Sequence, residues 1–257
     1  MVFSIVLNTR KLAEEISKKL FHGKKSQFLH DQALIEDLML VLNHLEKHQQ
    51  IEKYISRFKG KQTQVIGALA ESRISYFLEQ NGFKICTWEP AGAGNYEGDF
   101  TVQLGNLPQI FVEVKAPTWE GELTREELLG ERKLQPKYLH AEARFADPVS
   151  LIVGAIEKAL PKFEKNKINL LAVGGYLSFI SPFEIPRNIF EPKINYELSK
   201  INIEYLGGIF ILDSGNWGNG IQYKSYYIRN PVVQSISSLP EKVEAKLCEN
   251  NQTAFFR

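Results

Sequence analysis

Three charged residues in two short segments have types and spacing that suit catalysis: Asp99 in Gly98-Asp99-Phe100, and Glu113 and Lys115 in Glu113-Val114-Lys115. Carboxylate oxygens are the hard ligands that Mg²⁺ prefers, usually one or two of them with water and phosphate. A bound metal lowers the pKa of a water molecule and offsets charge on a phosphate. A lysine beside it can orient that water or stabilise developing negative charge. The set therefore suits phosphoryl chemistry.

Two predicted strands must position these residues. Residues 97–104 and 110–115 both alternate polar with apolar side chains, and 105–108 supply turn residues between them. A short turn would place Asp99 beside Val114, within one residue of both the carboxylate and the amine of the second strand. The spacing therefore predicts a hairpin with two carboxylates and one lysine converging at one end.

The second strand also predicts which way its side chains point. Side chains of a strand alternate between faces, so Glu113 and Lys115 should share one face, while Val112 and Val114 point to the other. The backbone carbonyl of Val114 is a further candidate metal ligand.

Glu71 adds a third carboxylate. It lies in a segment with helical periodicity, 62–80, which Asn81-Gly82 should end. Glu71 borders the apolar stripe of this helix, and a partly buried carboxylate needs a partner. A metal ion, or a water molecule held by one, would be such a partner.

Residues 60–116 resemble the PD-(D/E)xK nuclease superfamily. The resemblance is carried by Glu71 on a helix, Gly98-Asp99-Phe100 after a glycine-rich loop, and Glu113-Val114-Lys115 at hairpin spacing. It is closest to the branch that includes archaeal Holliday-junction resolvases and Mrr-type restriction endonucleases. The Glu-x-Lys tripeptide alone is a weak signal, and the proline of the family name is absent because Gly98 precedes the aspartate.

The resemblance implies a four-stranded mixed sheet flanked by helices, dependence on Mg²⁺ or Mn²⁺, and cleavage of nucleic acid, with DNA as the expected substrate. By matching position, Asp99 and Glu113 would be metal ligands, Lys115 the catalytic lysine and Glu71 an accessory ligand. Some members carry a glutamine on the helix that follows, and Gln135 is the candidate here.

A basic cluster follows the second strand and offers one interpretation as a phosphate-binding groove. Its candidate nucleic-acid-binding residues are Arg125, Arg132, Lys133, Gln135, Lys137 and Arg144. Glutamates are interspersed among these positive charges, so a solvated helical face explains the pattern equally well.

The order of elements predicts an α/β fold with a central mixed sheet flanked by helices, and the resemblance implies that this core is restriction-endonuclease-like. Residues 1–60 should form a helical extension that acts as a clamp or a homodimer contact, and residues 61–257 the nuclease domain. Further strands are expected at 83–88, 170–173, 203–212 and 221–228, helices within 120–165, and a last helix at 240–250.

Composition limits the classes of function. Lys and Arg total 31, Asp and Glu total 30, and the net charge of +1 gives no global basis for binding nucleic acid, so positive charge would have to be gathered locally. Cys86 and Cys248 are far apart, which predicts reduced thiols in a cytoplasmic protein and excludes a cysteine zinc site. No signal peptide or span of ~20 apolar residues is recognised, so no membrane partner is expected.

Two other patterns bear on function. His44 and His48 are four residues apart, but the glutamate between them is misplaced for the His-Glu-x-x-His motif of zinc proteases, and we interpret both as surface histidines. Two other functional classes stay open: a catalytically silent nucleic-acid-binding or assembly subunit, and a metal-dependent hydrolase of small phosphoesters. A salt-bridged surface hairpin is the non-functional alternative.

Overall fold

The chain forms an α/β fold, which we describe from a computed structural model covering residues 2–20, 30–117, 148–174, 187–201, 203–216, 221–248 and 251–253. The helices are α1 Val2–Leu20, α2 His30–Lys47, α3 Ile51–Phe58, α4 Gln62–Gln80, α5 Pro148–Ala159, α6 Arg187–Ile201 and α7 Glu241–Cys248. Within these ranges, no helix has both the length and the apolar character needed to cross a bilayer.

In the part of the chain that the structure describes, seven strands form one mixed sheet whose spatial order follows the chain. They are β1 Phe83–Trp88, β2 Phe100–Leu104, β3 Ile110–Lys115, β4 Ile168–Gly174, β5 Leu206–Asn216, β6 Ile221–Arg229 and β7 Asn251–Thr253. The pairs β3–β4 and β4–β5 are parallel, and the other neighbours are antiparallel. The expected mixed sheet flanked by helices is therefore present, with more strands than the resemblance implies.

Helices cover both faces of the sheet. One apolar cluster packs the four helices α1, α2, α3 and α4 against one face of the central strands, and it includes Val112 and Val114. A second apolar cluster packs α5 and α6 against the opposite face, and it includes Phe111. Glu113 and Lys115 alternate with the valines, so they lie on the α5 side. The predicted division of faces in β3 is confirmed.

The β2–β3 hairpin differs from its predicted register by one residue. Phe100 pairs with Val112 and Val102 with Ile110, so Asp99 comes level with Glu113 and not with Val114. The turn between β2 and β3 is shorter than predicted. The Leu107 amide closes it by donating a hydrogen bond of 3.1 Å to the Leu104 carbonyl. In addition, regular pairing in β2 begins at Phe100, so Asp99 stands just outside the strand.

Helix α4 approaches the sheet closely at the end of β4. A Cβ atom on Gly174 would lie 2.6 Å from the Cβ of Ala70, a distance that real side chains do not reach. Glycine at this position therefore allows α4 to pack against the strand. Since Glu71 directly follows Ala70, the close contact of Ala70 with Gly174 sets the position of Glu71 relative to the sheet.

The structure contradicts the surface position expected for His44. This side chain is buried, with 4% of its surface exposed, because α4 and Trp88 cover that side of α2. His48 is partly buried in the same place. Asp37, Val41 and His44 form a buried stripe along α2.

The helices on either side of residue 60 share one apolar core with the sheet. Leu38, Leu42 and Leu45 from α2 and Phe58 from α3 belong to the same buried cluster as α4 and the central strands. The division of the chain into an extension and a nuclease domain stays a prediction.

Candidate catalytic site at the end of strand β3

Asp99 is held by the strand that follows it. Its Oδ2 accepts a hydrogen bond of 2.6 Å from the backbone N–H of Val114, so the carboxylate takes the place that a backbone carbonyl would have if β2 continued. Burial, followed by the negative charges of Glu71 and Glu113, raises the pKa of Asp99 to about 8. Three carboxylates therefore lie close enough to repel one another.

Glu113, on β3, has a completely buried side chain. Its Oε1 accepts hydrogen bonds from the ammonium groups of Lys115 and Lys162, the latter at 2.7 Å. Its Oε2 is buried and has no hydrogen-bond partner among the described residues. A buried charged oxygen without a partner is costly, so this atom is available to a ligand that carries positive charge.

Lys162 is a site residue that the sequence analysis missed. It ends the short 3₁₀ helix Leu160–Lys162 that follows α5, and only the packing of α5 on the sheet brings it to Glu113. Burial lowers the pKa of Lys162, but the hydrogen bond and charge of Glu113 outweigh burial and leave that pKa raised. Lys162 is therefore an ammonium ion in the site.

The glycine-rich loop packs against the same 3₁₀ helix. The Ala93 amide donates to the Lys162 carbonyl at 3.0 Å, and a Cβ atom on Gly92 would lie 2.6 Å from that carbonyl oxygen. Glycine at position 92 therefore permits the close approach of the loop to the 3₁₀ helix. The loop helps to fix Lys162.

Glu71 has a different partner from the one expected. Both of its oxygens accept hydrogen bonds from the guanidinium of Arg57, and Oε2 also accepts one of 3.0 Å from the Tyr54 hydroxyl. Arg57 and Tyr54 lie one turn apart on α3. An ion pair thus meets the need of this carboxylate for a partner, and its role as an accessory metal ligand stays a prediction.

The aromatic ring of Phe111 explains why glycine stands where the family has proline. A Cβ atom on Gly98 would lie 2.2 Å from that ring, and the Gly98 amide donates to the Pro90 carbonyl at 2.9 Å. Proline would bring the clash and would lose the donor. The departure from the family pattern therefore follows from packing beneath the site.

The site residues fit a divalent metal ion. Asp99 and Glu113 supply carboxylate oxygens at one end of β3, including the unpartnered Oε2. The charges of Glu71 and Glu113 still raise the pKa of Asp99, although Arg57, Lys115 and Lys162 contact these two glutamates. Asp99 and Glu113 would hold the ion, with Val114 as a predicted carbonyl ligand. The predicted nucleic-acid-binding residues lie outside the described residues: Arg125, Arg132, Lys133, Gln135, Lys137 and Arg144.

Comparison with known proteins gives little further information. No protein-family model matches the chain, and no match to a curated protein reaches significance. The solved structure of Pyrococcus furiosus SfsA in complex with Ca²⁺ is similar over 66% of this chain and 63% of that chain, at 16% sequence identity and a TM-score of 0.26. The match spans less than two thirds of that protein.

Proposed function

We propose that this chain is a Mg²⁺- or Mn²⁺-dependent endonuclease of the PD-(D/E)xK type, with a restriction-endonuclease-like core, that hydrolyses phosphodiester bonds in DNA. The observation that carries the proposal is the meeting of Asp99, Glu113 and Lys115 at the end of β3, where the buried Oε2 of Glu113 has no partner among the described residues. The resemblance of residues 60–116 to the superfamily agrees with it.

Each charged residue of the site has a separate role in the proposed reaction. Asp99, fixed by the Val114 amide, and Glu113 hold the metal ion, which supplies Lewis-acid stabilisation and a water of lowered pKa when bound. Lys115 donates hydrogen bonds to the attacking water or to the phosphate oxygens, where negative charge grows in the transition state. Lys162 offsets the charge of Glu113, so Lys115 is free to turn toward the substrate.

Hydrolysis requires one water molecule per phosphodiester. The water oxygen bonds to phosphorus, the bond between phosphorus and the leaving sugar oxygen breaks, and the proton lost by the water balances the one gained by the leaving oxygen. Because charge spreads over the phosphate oxygens in this step, positioned cations give most of the catalysis.

The test is a cleavage assay on plasmid, linear, single-stranded and branched DNA and on RNA, with Mg²⁺, Mn²⁺ or EDTA. We expect metal-dependent cutting that Asp99→Asn and Lys115→Ala reduce by about 100-fold or more, since removing one aligned electrostatic group costs that much. The matched controls are Glu97→Gln and Lys158→Ala, both at exposed positions, which should cut like the wild type. Equal cutting by the wild type and both site variants would overturn the proposal.

A catalytically silent nucleic-acid-binding subunit is the second candidate, because the chain itself compensates its carboxylates. Two lysines contact Glu113 and Arg57 contacts Glu71. DNA binding without cleavage on any substrate, together with no binding of Mn²⁺, would select this function over the nuclease.

A further inference from the structure

A second group of possible metal ligands lies away from the catalytic carboxylates. His44 lies in the last turn of α2, His48 directly follows that helix, and Glu79 lies in the last turn of α4. One ligand atom from each of these three residues lies within 4.8 Å of the others. We propose that His44, His48 and Glu79 bind a transition-metal ion of the Zn²⁺ class, which joins α2 to α4.

The carboxylate faces both imidazole rings. His44 Nδ1 lies 3.1 Å from Glu79 Oε2, and His48 Nε2 lies 2.9 Å from Glu79 Oε1. Two imidazoles and one carboxylate are a ligand set that zinc uses when it keeps a fourth position for water. Imidazole nitrogen favours Zn²⁺, Co²⁺, Ni²⁺ or Cu²⁺ over Mg²⁺, so this site and the catalytic carboxylates differ in the metal they prefer.

Counting protons gives an independent reason for a cation here. Three contacts run in series: Glu79 to His44, His44 Nε2 to Ser75 Oγ at 3.0 Å, and Ser75 Oγ to the Ser72 carbonyl at 2.9 Å. Each needs one proton. Neutral His44 and the Ser75 hydroxyl together supply only two, because each has a single N–H or O–H.

One more cation beside Glu79, either a proton or a metal ion, completes this series of contacts. A metal ion between His44 Nδ1 and Glu79 removes the shortage. His44 Nε2–H then donates to Ser75, the kind of outer contact that orients metal-bound histidines.

Lys47 occupies part of the space beside this carboxylate. Its ammonium lies 3.0 Å from Glu79 Oε2, but 65% of the side chain is exposed. It can therefore move into solvent when a metal ion binds, and it should compete with the ion for Glu79. Replacing Lys47 by an uncharged residue should tighten metal binding, whereas a purely structural role of the three ligands gives no reason for that effect.

Trp88 provides a reporter for the site. Its ring centroid lies 6.3 Å from that of His44 and 5.9 Å from that of His48, and its Nε1 is buried with no partner among the described residues. The same ring packs against Phe100, which follows Asp99. A paramagnetic ion such as Co²⁺ at the proposed site should therefore quench Trp88 fluorescence.

The experiment titrates the full chain, stripped of metal with EDTA, with Co²⁺ and then Zn²⁺. The Asp99→Asn background lacks one of the two carboxylates proposed to hold the catalytic metal ion, which weakens binding at that site. We expect one equivalent of Co²⁺ to bind with visible d–d absorption and loss of tryptophan fluorescence, and Zn²⁺ to displace it. His48→Ala should weaken binding by more than about 100-fold. Lys47→Met should strengthen it, and exposed Glu52→Gln should leave it unchanged.

Thermal unfolding gives a second measurement if His48→Ala folds poorly. Zn²⁺ should raise the melting temperature of the wild type, and raise that of Lys47→Met at a lower Zn²⁺ concentration. Metal affinity that is the same in wild type, His48→Ala and Lys47→Met would overturn the proposal, and so would no Co²⁺ binding by the wild type. The result is independent of cleavage activity, because the background variant lacks a catalytic ligand.

Discussion

Asp99 lies at the candidate site in an environment that disfavours its charged form. The carboxylate is partly buried beside Glu71 and Glu113, and the Val114 amide donates a hydrogen bond to its Oδ2. Strain of this kind is common where a protein is built to bind a cation, since stability is given up for function. The same crowding that destabilises the metal-free chain would give the metal ion its affinity.

Asp99→Asn should stabilise the metal-free protein, and more so at high pH. The folded pKa of Asp99, about 8, lies above its ordinary value of 3.8, so its contribution to stability is complete below about pH 4 and is lost as pH rises through about 8. Asparagine does not titrate and can still accept the Val114 hydrogen bond. Urea unfolding in EDTA at about pH 5 and about pH 9 should show a stability difference that grows with pH.

Glu97→Gln is the control for this experiment, because Glu97 is exposed two residues away. Mg²⁺ should stabilise the wild type and have little effect on Asp99→Asn. A variant that is less stable than the wild type at both pH values would show that the carboxylate is not under the repulsion inferred here.

The residues of the candidate site differ in how far the sequence could reveal them. Asp99, Glu113 and Lys115 come from one hairpin, so pairing of adjacent strands is enough to predict that they meet. Lys162 reaches the site only through the packing of α5, and Arg57 reaches Glu71 only through the packing of α3. Contacts between separate elements depend on tertiary structure, and no local pattern encodes them.

The alternation of polar and apolar side chains predicts where most strands begin and end, but it does not determine how the strands pair. The predicted bounds of β1, β3 and α4 agree with the structure, whereas the pairing of β2 with β3 is displaced by one residue. Register depends on the conformation of the turn, and Gly105 adopts a φ of 57° there. That conformation was not evident from the alternation of residue types.

Gly174→Ala should destabilise the fold and reduce cleavage together. The added methyl group would meet Ala70, so α4 must shift and Glu71 with it. Overpacking of this kind costs about 1–3 kcal/mol. Gly154→Ala on α5 is the matched control, because no described atom lies within 4 Å of the new Cβ; it should be neutral or stabilising. Thermal unfolding and the cleavage assay measure both effects, and a neutral Gly174→Ala would contradict the close packing of α4.

Over the whole molecule, the N-terminal helices are tied to the sheet by buried polar contacts as well as by apolar packing. Asp37 on α2 accepts hydrogen bonds from Arg73 on α4 and from the Tyr223 hydroxyl on β6. Buried charged groups need their partners, since removing one leaves the other uncompensated. The sequence predicted these helices, but it could not show that they complete the core.

Removing residues 1–60 should therefore prevent the remaining chain from folding stably. The truncated chain would expose the apolar face that α2 and α3 cover and would leave Arg73 without Asp37. We expect little near-ultraviolet circular dichroism, no cooperative unfolding transition, and aggregation. Full-length protein in the same buffer is the control. A cooperative transition in the fragment 61–257 would instead show that the first 60 residues are a separable extension.

The sheet is ordered as the chain is ordered, each strand lying beside the strands that precede and follow it in sequence. A growing polypeptide can therefore add its strands one by one as it leaves the ribosome, without waiting for a distant partner to be synthesised. The hairpin that holds Asp99 and Glu113 would form early, and Lys162 would join it only when α5 has emerged. We expect the acidic half of the candidate site to be assembled during translation before its second lysine arrives.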